Sequence, residues 1–176
     1  SNVGLSKNNN APFRGTLTVN SGAVLDCGTF LVDGYLSTTL TSGVNAVFNL
    51  NSGGKIITSN ATGVQGSVVT ANVTATFNSG ASYEFKGSNT GVFTLTTANT
   101  ITGVLTFNRS AGVTIDQNFT ASTLALTNGI VTTGANAITI ASGGTFSGAS
   151  ANSYVRGTLR RGYSAAPSSG FPIGHG

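Results

Sequence analysis

Charged side chains make up only 7% of this sequence, against roughly 25% in an ordinary globular domain. That scarcity works against any site assembled from several acids and bases, such as the groove of a polysaccharide lyase or hydrolase. Among 176 residues there is one cysteine, Cys27, and one histidine, His175. A lone cysteine makes no internal disulfide, a serine or thiol nucleophile finds no matching base, and a His-rich zinc site is excluded. No run approaches the roughly 18 apolar residues that a membrane helix needs. Glu, Lys and Gln are few, and no segment carries helical periodicity. Glycines recur at turn spacing, not as the strand-to-helix junction that cradles a phosphate. Initiator methionine and signal peptide are both missing, and the opening Ser1-Asn2-Val3-Gly4 and closing Phe171-Pro172-Ile173-Gly174-His175-Gly176 carry no polar cap. The expectation is a piece of a longer protein or a chain whose open ends stack on other chains.

What is abundant is Gly, Thr, Ser and Asn, arranged in a repeat. Five copies share an apolar-polar-apolar strand followed by a polar turn: Leu17-Thr18-Val19-Asn20-Ser21-Gly22, Phe48-Asn49-Leu50-Asn51-Ser52-Gly53, Ala75-Thr76-Phe77-Asn78-Ser79-Gly80, Leu105-Thr106-Phe107-Asn108-Arg109-Ser110-Ala111-Gly112 and Ile138-Thr139-Ile140-Ala141-Ser142-Gly143. The turn glycines Gly22, Gly53, Gly80, Gly112 and Gly143 recur at nearly even intervals, of the length typical of stacked-repeat folds. One strand-turn-strand unit cannot bury its apolar face alone, whereas units stacked about 4.8 Å apart make a continuous core.

Side chains alternate with period two along a strand, so three interior columns follow. They are Leu17, Phe48, Ala75, Leu105 or its displaced equivalent, and Ile138; Val19, Leu50, Phe77, Phe107 and Ile140; and Leu25, Ile56, Tyr83, Ile115 and Phe146. Val24, Lys55, Ser82, Thr114 and Thr145 form a solvent-facing column between them. Further turn signals at Asp33-Gly34, Thr62-Gly63, Asn89-Thr90-Gly91 and Asn128-Gly129 divide each coil into two or three strands. The fold expected is all-β: a right-handed parallel β-helix, or β-solenoid, of about six coils of roughly 30 residues, without substantial helix. Residues 1–150 form the coils and 151–176 a terminal edge segment.

The formal charge of +4 and the isoelectric point near 9.7 do not describe a nucleic-acid surface. Lys7, Arg14, Lys55, Lys86 and Arg109 are scattered, and only Arg156, Arg160 and Arg161 cluster, as charges guarding an edge strand do. Cys27 reads as a small buried hydrophobe. Three of the four acids, Asp26, Glu84 and Asp116, fall four residues after a turn glycine. In register, Glu84 and Asp116 would sit on adjacent coils, which suits neutralisation by Lys86 or Arg109, a calcium site, or catalysis. No other cofactor is called for.

The segment Asn152-Ser153-Tyr154-Val155-Arg156-Gly157-Thr158-Leu159-Arg160-Arg161, followed by Phe171-Pro172-Ile173-Gly174, resembles a pattern common in large secreted and surface proteins of the Bacteroidota. There a similar strand leads into an "FPIG" turn after solenoid coils, which Leu124 to Thr133 and Ile138 to Ile140 resemble in turn. The specific likeness runs from about Leu124 to the last residue. It implies a surface adhesin or gliding-type protein, with export through the type IX secretion system common among such proteins; it supplies no catalytic residue. Here the chain departs from the pattern by ending at His175-Gly176, without a secretion-signal domain.

The functional expectation is therefore a non-catalytic, extracellular β-solenoid of a bacterial surface or secreted protein, acting as stalk, adhesin or filament. Its partners would be further domains of the same protein, other copies of itself, or surface glycans, with no nucleic acid and no membrane span. Exposed loops at Lys7 to Asn10, Thr58 to Gln65 and Ser164 to Gly170 would make any ligand contact. The alternatives are a filament subunit stacking end to end, a polysaccharide-binding or polysaccharide-degrading β-helix, and an ice-binding solenoid using Thr16-x-Thr18, Thr74-x-Thr76 and Thr94-x-Thr96. Against ice binding, those pairs sit at non-equivalent repeat positions or are replaced by Phe48-Asn49-Leu50 and Ile138-Thr139-Ile140.

Overall fold

The computed structural model describes residues 3–4, 15–33, 46–70, 73–93 and 99–163. Among them the chain is almost entirely β, as its Thr, Val and Gly content favours. The strands are β1 (Val3–Gly4), β2 (Thr16–Val19), β3 (Val24–Gly28), β4 (Val32–Asp33), β5 (Ala46–Leu50) and β6 (Lys55–Thr58). One helical turn, α1 (Val64–Ser67), separates these from β7 (Val73–Phe77), β8 (Ser82–Gly87) and β9 (Gly91–Phe93). Then come β10 (Thr100–Arg109), β11 (Val113–Ile115), β12 (Phe119–Asn128), β13 (Val131–Ser147) and β14 (Val155–Arg161).

Every pairing between these strands is parallel. β2-β5-β7 form one sheet and β1-β4 another; the largest runs β3-β6-β8-β10-β12-β13-β11-β9, with β14 also on β13. The long strands pair in separate stretches. β10 meets β12 at Thr100 and Ile101 and again from Val104 to Asn108, and β13 meets β14 at Val131 and Thr132 and again from Ala137 to Ile140. Between stretches the register shifts, which marks a bend in the strand.

The corners follow from the Asn-Ser-Gly turns. Gly22 and Gly53 have φ of 79° and 75°, a left-handed conformation that glycine adopts without steric cost. The corners themselves form a ladder: Gly22 N–H donates to Gly53 O at 2.9 Å and Gly53 N–H to Gly80 O at 3.0 Å. Asn51 Nδ2 donates to Asn20 Oδ1 at 2.9 Å beside it.

Through the largest sheet runs one apolar column, Leu25-Ile56-Tyr83-Leu105-Leu124-Phe146, whose members are direct register partners. Ile56, Tyr83, Leu105 and Leu124 are fully buried, while Leu25 and Phe146 at its two ends are partly exposed. A second column places Phe85 over Phe107 and Phe107 over Leu126, with the Phe85 and Phe107 rings 5.7 Å apart. Thr58 heads that column. Its buried hydroxyl lies 2.7 Å from Ser67 Oγ and accepts from Asn60 N–H at 3.0 Å, so the polar group is satisfied. Across the β2-β5-β7 sheet, Val19, Leu50 and Phe77 stack inward as expected.

The sequence repeat is corrected at its fourth copy. Phe107 is not in register with Phe77; it pairs with Phe85 and Leu126. Ile138 and Ile140 lie beside Phe119 and Ala121 instead of Leu105 and Phe107. The corner after Gly80 is Thr102-Gly103, whose amides both donate to Ser79 O. A Cβ on Gly103 would lie 2.1 Å from Ala81 O, so a bare backbone is needed there. Gly112 belongs to a different corner, where Val113 N–H donates to Ile130 O. Ile115, expected beside Tyr83, is the register partner of Phe93 although it is buried. The outward position expected for Thr114 is taken by Val104, whose N–H donates to Ser82 Oγ.

The period is corrected with it. The steps from Leu25 to Ile56 and from Ile56 to Tyr83 keep close to the expected length, whereas those from Tyr83 to Leu105, Leu105 to Leu124 and Leu124 to Phe146 are all distinctly shorter. The chain thus contracts its step after the second instead of holding it constant. The physical reason is that Leu105-Thr106-Phe107-Asn108-Arg109 continues as strand beyond the point where the first three copies turn. The register is tested by cross-linking in a Cys27→Ser background. Glu84→Cys with Thr106→Cys, register partners on β8 and β10, should oxidise to a disulfide, whereas Glu84→Cys with Asp116→Cys should not. The readout is the two-proton mass loss in the intact protein.

Candidate functional site

Three groups of polar side chains stand out against the sparse charge. The first lies on the outward face of β3, β6, β8 and β10. Lys55 Nζ donates to Glu84 Oε2 and Lys86 Nζ to Asp26 Oδ2, each at 2.6 Å, and Asn108 Nδ2 donates to Glu84 Oε1 at 3.2 Å. Alternation aims all five outward, and the register sets them on neighbouring strands. Lys86 reaches Asp26 across the intervening β6. Burial works to raise the Glu84 pKa, but the hydrogen bonds from Lys55 and Asn108 and the charge of Lys55 outweigh it, holding the carboxyl below its usual range. The bond from Lys86 holds Asp26 down in the same way, and Asp26 holds Lys86 up.

The expected pairing of Glu84 with Asp116 is corrected here. Glu84 has Ile57 and Thr106 as register partners, and Asp116 follows β11, on a different ladder. The calcium and catalytic readings needed those two carboxylates side by side. Of the two neutralising cations expected, Lys86 takes a carboxylate, Asp26, and Arg109 takes none among the described residues.

Arg109 is the second group. Leu105, Phe107 and Arg109 alternate inward on β10, and the guanidinium is 0% exposed. Its Nη2 donates to Asn60 O at 2.9 Å, Nε to Lys86 O at 3.3 Å and Nη1 to Thr90 O at 3.5 Å. It thus ties together backbone carbonyls of two turns and of the end of β8. Burial lowers its pKa, yet an arginine starts so high that it stays charged. Gly91 lets the group in, since a Cβ there would lie 1.5 Å from Nη1. Gly91 also lines a cavity of about 140 Å³, together with Thr90, the turn at Ser110 to Gly112, Thr114, Thr132 and Arg156.

The third group is the Arg156, Arg160 and Arg161 cluster on β14. Arg156 and Arg160 are exposed. Arg161 instead lies over the rings of Phe146 and Tyr163, at 5.4 and 5.7 Å, and Nη2 donates to Gly144 O at 3.2 Å. Its Nη1 is buried without a partner among the described residues.

Cys27 is buried, with its thiol pushed up to about 11 by burial and by the charge of Asp26. A thiol held protonated is a poor nucleophile. Thr16 and Thr74 occupy equivalent register positions, as do Thr18 and Thr76, contrary to the expectation of non-equivalence, but Val47 and Asn49 intervene between them. Within the Thr58 to Gln65 loop, expected to be exposed, Thr58, Gly63 and Val64 are buried and Ala61, Thr62 and Gln65 face outward. The Thr94-x-Thr96 pair, the Lys7 to Asn10 and Ser164 to Gly170 loops, and the Phe171-Pro172-Ile173-Gly174 turn lie outside the described residues. No described helix is long and apolar enough to cross a membrane.

No protein family, curated protein or solved structure matches this chain. The buried role of Arg109 is legible in hindsight, because the period-two alternation of Leu105 and Phe107 carries it inward. The cavity has no such signal, being built from turns of several different steps.

Two mutational outcomes follow. Lys86→Ala should cost less than about 1 kcal/mol in denaturant unfolding at neutral pH, as exposed pairs do. Arg109→Met removes the charged donor from three hydrogen bonds to part-buried carbonyls, each worth about 1.5–3 kcal/mol when a charged group takes part, and should cost about 3 kcal/mol or more. The depressed carboxyls of Asp26 and Glu84 add stability that is full above the usual carboxylate range and lost as pH falls through their lowered values. The native protein should therefore lose stability as pH falls below the usual carboxylate range of about 4, and a Lys55→Ala/Lys86→Ala variant should lose less. Cys27 should resist iodoacetamide at about pH 8 in the native protein and react once it is unfolded, read by mass spectrometry.

Proposed function

We propose that the parallel sheets are faces of one right-handed β-solenoid, and that this solenoid is a non-catalytic structural and adhesive segment of an extracellular bacterial protein. The observation that carries the reading is the apolar column from Leu25 to Phe146, kept in direct register over six strands while the steps between its members vary. Strands β10, β12 and β13, which bend and pair again beyond each bend, favour a chain that winds. Ladder hydrogen bonds aligned along one direction make a stiff body. Two of the four acids are engaged in cross-strand ion pairs that hold register. The likeness of Asn152 to Arg161 to surface proteins of the Bacteroidota supplies the extracellular assignment.

End-to-end polymerisation is the second reading. The partly buried Leu17 and Leu25 on one end of the sheets and Phe146 and Leu159 on the other favour it. The unequal steps weigh against it, since a junction would set the longest step of the chain against the contracted ones.

The test is labelling of intact source cells with an antibody raised against this chain, before and after addition of an external protease. Labelling without permeabilisation, with the segment surviving protease that strips other surface proteins, is expected. Labelling only after permeabilisation would remove the extracellular assignment, and rapid internal cleavage in the described strands would remove the mechanical one.

A further inference from the structure

The cavity beside Gly91 has chemistry that no structural role accounts for. Thr114, Thr132 and Arg156 are consecutive register partners on β11, β13 and β14, so they form one outward column with neighbours about 4.8 Å apart. Ser110 stands on the turn that leads into β11. None of these four side chains makes a hydrogen bond among the described residues, nor does Ser153 Oγ before β14, whereas Asn60, Asn89, Asn118 and Asn136 at other corners do.

Two cations serve the cavity. Arg156 is exposed on its rim, and the buried Arg109 lies against Gly91, with its charge met by carbonyls and by no carboxylate. No acid lines the cavity; Asp116, just beyond Thr114 in sequence, lies outside the lining. The field is therefore that of an anion site.

Size narrows the ligand. About 140 Å³ is well below the several hundred Å³ of pockets that enclose drug-sized molecules, and corresponds to the volume of about five waters, or one pyranose ring. The walls offer hydroxyls and glycine backbone beside the apolar Ala111, Val113 and Ile130, which suits a sugar ring with its hydroxyl groups and its apolar C–H face. The column of Thr114, Thr132 and Arg156 also runs across the strands, so a polymer could lie along it while placing one unit in the cavity.

We propose that this cavity binds a single hexuronate unit of an acidic polysaccharide, with its carboxylate on the Arg156 guanidinium and its ring hydroxyls on Thr114 and Thr132. This rests on the extracellular, adhesive reading and gives its ligand a chemical class. A guanidinium can hold a carboxylate through two parallel hydrogen bonds, which a point charge cannot.

The experiment is titration of the full chain with oligogalacturonate, with neutral dextran oligosaccharide and with sodium sulfate at matched ionic strength. It is repeated on Arg156→Gln, Thr132→Val and, as a charge control outside the cavity, Arg160→Gln. Oligogalacturonate should bind, dextran should not, and sulfate should compete only weakly. Arg156→Gln should weaken binding at least tenfold and Thr132→Val several-fold, with Arg160→Gln within twofold of the parent. Absence of oligogalacturonate binding at millimolar concentration overturns the proposal. Equal loss in Arg156→Gln and Arg160→Gln reduces it to diffuse charge attraction, and full competition by sulfate reduces it to a simple anion site; either result overturns the sugar assignment. Far-ultraviolet circular dichroism of each variant, matching the parent, assigns the loss to the side chain. Surface labelling with intact protease resistance but no oligogalacturonate binding would leave the adhesive reading standing without this site, whereas binding by a chain found only inside cells would do the reverse.

Discussion

Register between parallel strands is the constraint on which everything else in this structure rests. A parallel ladder fixes which residue lies over which, and period-two alternation then sends whole columns inward or outward together. A slip of one position would drive Tyr83, Leu105 and Leu124 into water and their polar neighbours into the core. The column from Leu25 to Phe146 therefore does more than supply buried area. It selects a single pairing from several that the Thr- and Ser-rich strands would otherwise tolerate, since strands with few distinguishing side chains specify register weakly.

The sparse charges reinforce that selection. Lys55 with Glu84 and Lys86 with Asp26 join strands β3, β6 and β8, and a slipped sheet would separate them or set like charges together. Their individual energies are small in water. Their contribution is to discriminate between registers, in the same direction as the apolar columns and at places where Val24 and Ile57 would not discriminate. Arg109 acts at longer range. By bonding carbonyls of Asn60, Lys86 and Thr90, it ties two turns to the end of β8. A buried cation with only carbonyl partners is costly to place.

Much of the fold is legible in the sequence because alternation is a strong signal in short strands. Val19, Leu50 and Phe77 stack as their spacing implies, and so do Leu25, Ile56 and Tyr83. The fourth copy misleads because its glycine spacing favours the wrong alignment. Leu105-Thr106-Phe107 satisfies the apolar-polar-apolar pattern on either of two faces, and the interval from Gly80 to Gly112 suits a constant period. What decides the matter is the close approach of Gly103 to Ala81, which depends on where the previous turn lies in space. The error carries over to Glu84 and Asp116, whose proximity exists only in that alignment. The cavity is beyond sequence reasoning altogether, because Gly91, Ser110, Thr132 and Arg156 are brought together by register alone.

The contracting step also bears on how the chain acquires its structure. Each step is the loop that must close before a strand meets its predecessor, and the entropy of closing a flexible loop grows with the logarithm of its length. Closing the step from Leu105 to Leu124 in place of one as long as Leu25 to Ile56 lowers that cost by about 0.4 kcal/mol. The short steps all follow Tyr83. Of the steps described, the later ones thus have the cheapest first contacts, so nucleation is biased toward the β10-β12-β13 region. Assembly would then spread backward to the long steps that left the ribosome earlier, opposite to the direction of synthesis.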